Sequence, residues 1–224
     1  SGEGRVTRLF RMGAVEHRII VSARGRVKDR LFGGVQRIDL GPSSAITPDF
    51  QAKPVLLPQV KDEDHVQQMN WGLAYGFKWL DRGSVDLSVS HTSYTKKLDF
   101  ADVRLPVLET RDNPILVTAA GSVRLNRHLS LYGGYVRGLE EALIAPDVAT
   151  NRSEAPPAIR TRQIDFGLRY GVTPKLTLVA GLFSVSKPYF NLDPSMRYRQ
   201  LGQVDNRGFE LSLAGAVAPG VTLV

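Results

Sequence analysis

Four short polar turns recur about every 45 residues along this chain. They are Asp81-Arg82-Gly83-Ser84, Asn126-Arg127-His128, Thr173-Pro174-Lys175 and Ala218-Pro219-Gly220. Between one and the next lie two long alternating segments joined by a longer connection, over Leu98 to Asp112, Glu140 to Arg160 and Lys187 to Leu201. Short and long connections therefore alternate. Antiparallel strands in lipid must pair without leaving an open edge. Barrels that do so carry tight turns on the periplasmic rim and longer loops on the extracellular one.

The segments themselves alternate with period two. Trp71, Leu73, Tyr75, Phe77 and Trp79 share one parity, and Asn70, Gly72, Ala74, Gly76 and Lys78 share the other. Each such segment has one apolar face and one small or polar face. The pattern repeats in Val85, Leu87 and Val89, in Ile164, Phe166, Leu168 and Tyr170, and in Phe209, Leu211 and Leu213. An earlier hairpin turns near Gly13. The stretch after it, from roughly Gly33 to Asp64, holds Pro42, Pro48, Pro54 and Pro58 and is expected to be irregular and extracellular. The pattern predicts about ten strands, most of roughly 9 to 14 residues, which suits a tilted membrane span better than a soluble sheet.

Composition limits the alternatives. No run approaches the roughly 18 apolar residues of a spanning helix, so any membrane crossing is made by strands. A mean hydropathy of −0.14 agrees with strands that are apolar on one face only. The absence of cysteine removes disulfide frameworks, thiolate metal sites and cysteine nucleophiles. A net charge of +7 would suit a nucleic-acid binder, but the 29 basic residues are dispersed and no block of like charge occurs, so no nucleic-acid partner is expected. A propeller blade would fit four short strands into each period, whereas this chain has two long ones. A soluble β-sandwich binding module remains open at this stage, because its half-buried strands alternate too. Neither end reads as a natural terminus, which predicts a piece of a longer protein.

The segments Lys175 to Pro194 and Gln200 to Gly215, above all Asn206-Arg-Gly-Phe-Glu-Leu-Ser-Leu-Ala-Gly215, resemble the late barrel strands of TonB-dependent siderophore receptors. Arg160 to Tyr170 and Ser130 to Glu141 are similar. The resemblance implies an all-β, antiparallel transmembrane β-barrel segment covering residues 1–224, part of a larger barrel of 22 strands. It also implies a plug domain and C-terminal strands that this sequence does not contain. Its further implications are outer-membrane location in a Gram-negative bacterium, outer-membrane lipid as surroundings, import of a ferric siderophore or similar chelate, and coupling to the TonB complex through the missing N-terminal region. A passive porin is the alternative within the membrane class.

No catalytic constellation is present, and no cofactor is expected: there is no Gly-x-Ser-x-Gly or Walker loop. His17, His65, His91 and His128 show no ligand spacing and read as turn and rim residues. Asn151-Arg152-Ser153 matches a glycosylation sequon that a bacterial barrel has no use for. The strongest functional pattern is a column of one parity, Arg24, Arg26, Lys28 and Arg30. A charge facing lipid costs about 2 to 4 kcal/mol near the midplane, so this column is expected to face the lumen. There it could attract an anionic chelate, or pair with carboxylates of neighbouring strands or of the plug. Tyr94, Tyr189, Phe190 and Tyr198 form a second set near the outer rim, suited to gripping a planar chelate or to forming the interfacial aromatic girdle.

Overall fold

The computed structural model describes residues 1–32, 38–41, 46, 52–55, 57, 60–146, 148–152, 154–218 and 220–223. Among them eleven strands form one antiparallel sheet. In chain order these are β1 Gly2–Met12, β2 Val15–Phe32, β3 Asp62–Trp79, β4 Gly83–Asp99, β5 Leu108–Asp112 and β6 Ile115–Arg124. They continue as β7 Leu129–Glu140, β8 Ile159–Thr173, β9 Leu176–Leu192, β10 Tyr198–Ala218 and β11 Val221–Leu223. Successive strands are neighbours throughout, except that β5 and β6 both pair with β4. The sheet is open, with β1 and β11 as its edges.

β1, β6 and β7 have the expected length, with 11, 10 and 12 residues, whereas others outrun it: β2 and β3 have 18 residues and β10 has 21. A span uses only about 9 to 11, so the excess continues the sheet beyond the apolar band. Most of the proline-bearing stretch after Gly33, including Pro42, Pro48 and Pro58, lies outside the described residues, while Asp62 to Asp64 already belong to β3.

Two of the three expected long connections are corrected. Leu98 to Asp112 contains β5, which pairs with the upper end of β4. Asn113-Pro114 separates β5 from β6 because proline has no N–H to give the ladder, and the Pro114 carbonyl instead accepts from Thr92 N at 3.0 Å. Lys187 to Leu201 is mostly strand, and its turn is confined to 193–197. Asp193 organises that turn. Its Oδ1 accepts from Ser195 N at 2.8 Å and Arg197 N at 3.0 Å, and its Oδ2 accepts from Arg199 Nε at 2.6 Å. The backbone bond from Arg197, then the Arg199 guanidinium, hold this carboxyl below its ordinary pKa.

Register gathers the apolar residues on one face. Trp71, Leu73 and Tyr75 oppose Ala23, Val21 and Ile19 on one side and His91, Val89 and Leu87 on the other. Phe166 opposes Leu182, and Leu182 opposes Phe209. These three side chains are 56%, 62% and 79% exposed. Among the described residues no second sheet covers that face, which removes the sandwich alternative. The other face carries Ser84, Asp86, Ser122, Asp165 and Glu210 around one hollow. Tyr132 crosses this wall over Gly167 and Gly181, where a Cβ would come within 2.5 and 2.9 Å of its Oη, so both positions need glycine for the ring to lie flat.

The two faces make a test. In the full-length barrel carrying this wall, Leu182→Arg places a charge on the apolar face and is expected to cost about 2 to 4 kcal/mol. Ala120→Arg, on the polar face, is expected to cost less than about 1 kcal/mol. Urea unfolding in lipid vesicles measures both, and equal penalties would show that the faces are reversed or the register displaced.

Candidate functional site

The basic column lies on the polar face. Arg24, Arg26, Lys28 and Arg30 on β2 stand opposite Asn70, Gln68, Val66 and Asp64 on β3. Those in turn oppose Thr92, Tyr94, Lys96 and Leu98 on β4. Two carboxylates meet the upper cations. Arg30 Nη2 donates to Asp64 Oδ2 at 2.5 Å, and Lys28 Nζ to Glu141 Oε2 at 2.9 Å. Lys96 Nζ reaches Glu141 Oε1 at 3.2 Å, the Ala142 carbonyl at 3.3 Å and Asp64 Oδ2 at 3.4 Å. Lys96 and Asp64 are each 1% exposed.

Glu141 does not belong to the sheet. It begins the segment between β7 and β8, residues 141–158, whose described residues fold back over the polar face instead of standing away from it. Ala158 forms one cluster with Val66 and Tyr94, and Ala155 forms another with Leu98 and Phe100, against which Ile144 packs. Thr110 Oγ1 donates to the Ala155 carbonyl at 2.7 Å. Small side chains let the segment lie close, and Ala142, Ala145, Ala149, Ala155 and Ala158 are all buried. The far side is tied to the β9–β10 turn. Asn151 Nδ2 donates to the Tyr198 carbonyl at 2.9 Å, and its Oδ1 accepts from Tyr198 N at 2.8 Å. Asn151 thus serves as a clamp.

This packing buries apolar surface and charge together. An ammonium as enclosed as that of Lys96 would cost several kcal/mol alone, and the two carboxylates offset that cost. Burial by itself raises the Glu141 pKa. The hydrogen bonds and charges of Lys28 and Lys96 outweigh it, and the net shift is downward from the ordinary 4.5. Tyr94 Oη and Asp64 Oδ1 are buried without a hydrogen-bond partner among the described residues.

The structure treats the eight named candidates differently. Lys28 and Arg30 are ion-paired, whereas Arg24 and Arg26 form no ion pair among the described residues. Tyr94, 2% exposed, is enclosed beside the 141–158 segment. Tyr189 shares the polar face with Phe183, by the unbroken alternation of β9. Phe190 and Tyr198 lie on the opposite face with their rings 6.0 Å apart. The tyrosines therefore do not converge on one pocket. Sequence reasoning missed Asp64, Lys96 and Glu141; only the first two carry a signal, falling on the polar parity opposite or beside the basic column. His17 Nδ1 lies 2.8 Å from Tyr75 Oη, His128 Nδ1 lies 3.2 Å from the Gly171 carbonyl, and His65 contacts Asp29. No group of metal-ligating side chains occurs among the described residues.

Glu141→Gln is expected to loosen 141–158 by about 1 to 2 kcal/mol, seen as roughly 5- to 30-fold faster amide exchange across that segment. The sign with pH follows from the lowered pKa. The carboxylate's contribution is complete above the unfolded value of 4.5 and is lost as pH falls through the depressed folded value. Wild-type protection should fall on acidification through that range by more than protection in the Gln variant. Unchanged exchange in Glu141→Gln at neutral pH would show that apolar packing alone holds the segment.

No family model and no curated protein matches this sequence. Solved structures do. The ferric preacinetobactin receptor BauA of Acinetobacter baumannii superposes with a TM-score of 0.74 at 23% identity, over 98% of this chain and 34% of that one. FpvA of P. aeruginosa, solved with bound pyoverdine and iron, gives 0.72 at 14% identity, over 97% and 30%. The ferric-catecholate import receptor Fiu of K12 E. coli gives 0.65 at 14%, over 97% and 35%. These neighbours are transport receptors and not enzymes. The chain spans about a third of the length of the structures it matches, and its open eleven-stranded sheet has the fold of the barrel wall in TonB-dependent siderophore receptors.

Proposed function

We propose that this chain forms part of the barrel of an outer-membrane receptor that imports a ferric siderophore or a related anionic chelate, with transport powered through TonB by a plug outside this sequence. The apolar face then meets lipid and the polar face lines the lumen. The observation that carries the reading is the match of nearly the whole chain to siderophore-receptor barrels, joined to a lumenal column of four cations.

The column divides into two functions. Its upper part, Lys28 and Arg30, is ion-paired with Glu141 and Asp64, which also meet Lys96, and holds the 141–158 segment on the wall. Its lower part, Arg24 and Arg26, keeps its charge and faces the lumen beside Asn70 and Gln68. An anionic chelate entering past the segment would meet these two guanidiniums next. Inside a lumen walled by low-dielectric material their field is focused, which raises the encounter rate of an anion and is weakened by salt, with a screening length of about 10 Å at 0.1 M.

Association rates of a ferric chelate with the full-length receptor, measured across ionic strength in detergent, test this division. Arg24→Gln with Arg26→Gln is expected to flatten the salt dependence and slow capture several-fold while leaving thermal stability within about 0.5 kcal/mol. Lys28→Gln with Arg30→Gln is expected to lower stability by about 1 to 3 kcal/mol, because Asp64 and Glu141 lose partners. Parallel salt slopes in the wild type and the Arg24/Arg26 variant would end the cargo reading of the lower pair.

A further inference from the structure

Arg137 on β7 and Arg162 on β8 stand directly opposite each other in the antiparallel register. Both are exposed, and they share the apolar face, since the rungs below them on the same parity are Tyr135–Ile164, Gly133–Phe166, Leu131–Leu168 and Leu129–Tyr170. Directly opposed side chains have their Cβ atoms about 4.5 to 5.5 Å apart, and like charges there are destabilising. Neither arginine makes an ion pair among the described residues. The neighbouring Arg160 has found Asp112 at 2.7 Å, and Asp205, across β9 from Arg162 on the same face, bonds neither. On the lumenal face Lys28, Arg30 and Lys96 are all met by carboxylates. Here the wall supplies none.

The height of the pair indicates what does. From Leu129 to Arg137 the strand rises about 27 Å along its own axis at 3.4 Å per residue, or about 20 Å vertically at a tilt near 40°. That is close to the height of the apolar band, about 25 Å, so the guanidiniums stand at its outer border, where lipid headgroups lie. Two guanidiniums offer paired N–H forks that fit the oxygens of a phosphate, and their two positive charges match a dianionic monoester better than a singly charged diester. Ser184 and Arg207 lie opposite each other one rung lower across β9 and extend the donor set.

We infer that Arg137 and Arg162 bind the phosphate monoester of a lipid in the outer leaflet. The inference rests on the outer-membrane reading above, and fractionation tests that reading separately. If the full-length protein is absent from the outer membrane, that reading fails. If it is present there and phosphate recognition is lacking, only the present inference fails.

The test uses full-length protein stripped of lipid, with bisphosphorylated lipid A, dephosphorylated lipid A, phosphatidylglycerol and inorganic phosphate as probes, read by thermal shift and native mass spectrometry. Wild-type protein is expected to bind bisphosphorylated lipid A at least about tenfold more tightly than the other three, with the preference falling as salt rises. Arg137→Gln with Arg162→Gln is expected to abolish the preference. In lipid-free detergent the same variant should melt at or above the wild type, because the repulsion is gone, whereas a purely structural pair would leave it less stable. Arg162→Lys keeps the charge without the fork, should bind at an intermediate level, and serves as the second variant if the double one folds poorly. Equal binding of phosphorylated and dephosphorylated lipid A, equal binding of phosphatidylglycerol or free phosphate, or undiminished binding by the double Gln variant would each overturn the inference.

Discussion

Everything in this structure depends on lateral backbone hydrogen bonding between neighbouring strands. In hydrocarbon each N–H and C=O must find a partner within the protein, and a sheet meets that demand only by pairing every strand along its length. Pairing fixes register, and register with period two fixes which side chains face lipid and which face the lumen. Trp71, Leu73 and Tyr75 can lie uncovered because the matching positions of β2 and β4 carry Val21, Ile19, Val89 and Leu87 on the same face. The basic column is possible for the same reason, since its four charges are all held away from lipid by one parity.

Alternation is legible wherever one face is apolar, so the long hairpins and their tight turns can be placed from residues alone. It fails at the upper strand ends. There both faces of a strand are wet or covered by protein, the period-two signal vanishes, and strand reads as loop. β5 and the upper ends of β9 and β10 show no alternation on that account, and Lys187 to Leu201 reads as a connection although only 193–197 turns. Position along a strand was legible while convergence between distant strands was not. Tyr189 and Tyr198 appear equivalent in the sequence, yet a bulge between Gln200 and Gly202 and the change of parity put them on opposite faces.

Electrostatics divides along the same line. Cations on the lumenal wall differ in worth according to what the 141–158 segment brings to them. Where Glu141 arrives, Lys28, Arg30 and Lys96 pair with carboxylates and hold a covering segment; below it Arg24 and Arg26 form no ion pair among the described residues. The partner could not be read in advance, because Lys28 and Glu141 are separated by 113 residues and nothing short of the folded sheet brings them together.

Glu141 contacts side chains of β2 and β4 while itself following β7, and Asp64 of β3 closes the same cluster. A slip of one residue in any of these strands would turn Lys28, Lys96 or Asp64 to the lipid side and leave the carboxylate without its cations. The segment can therefore seat only on a wall in which β2, β3 and β4 are in register. Its docking reports on the alignment of the sheet, and a protease able to cut an unseated 141–158 segment would distinguish misaligned barrels from finished ones.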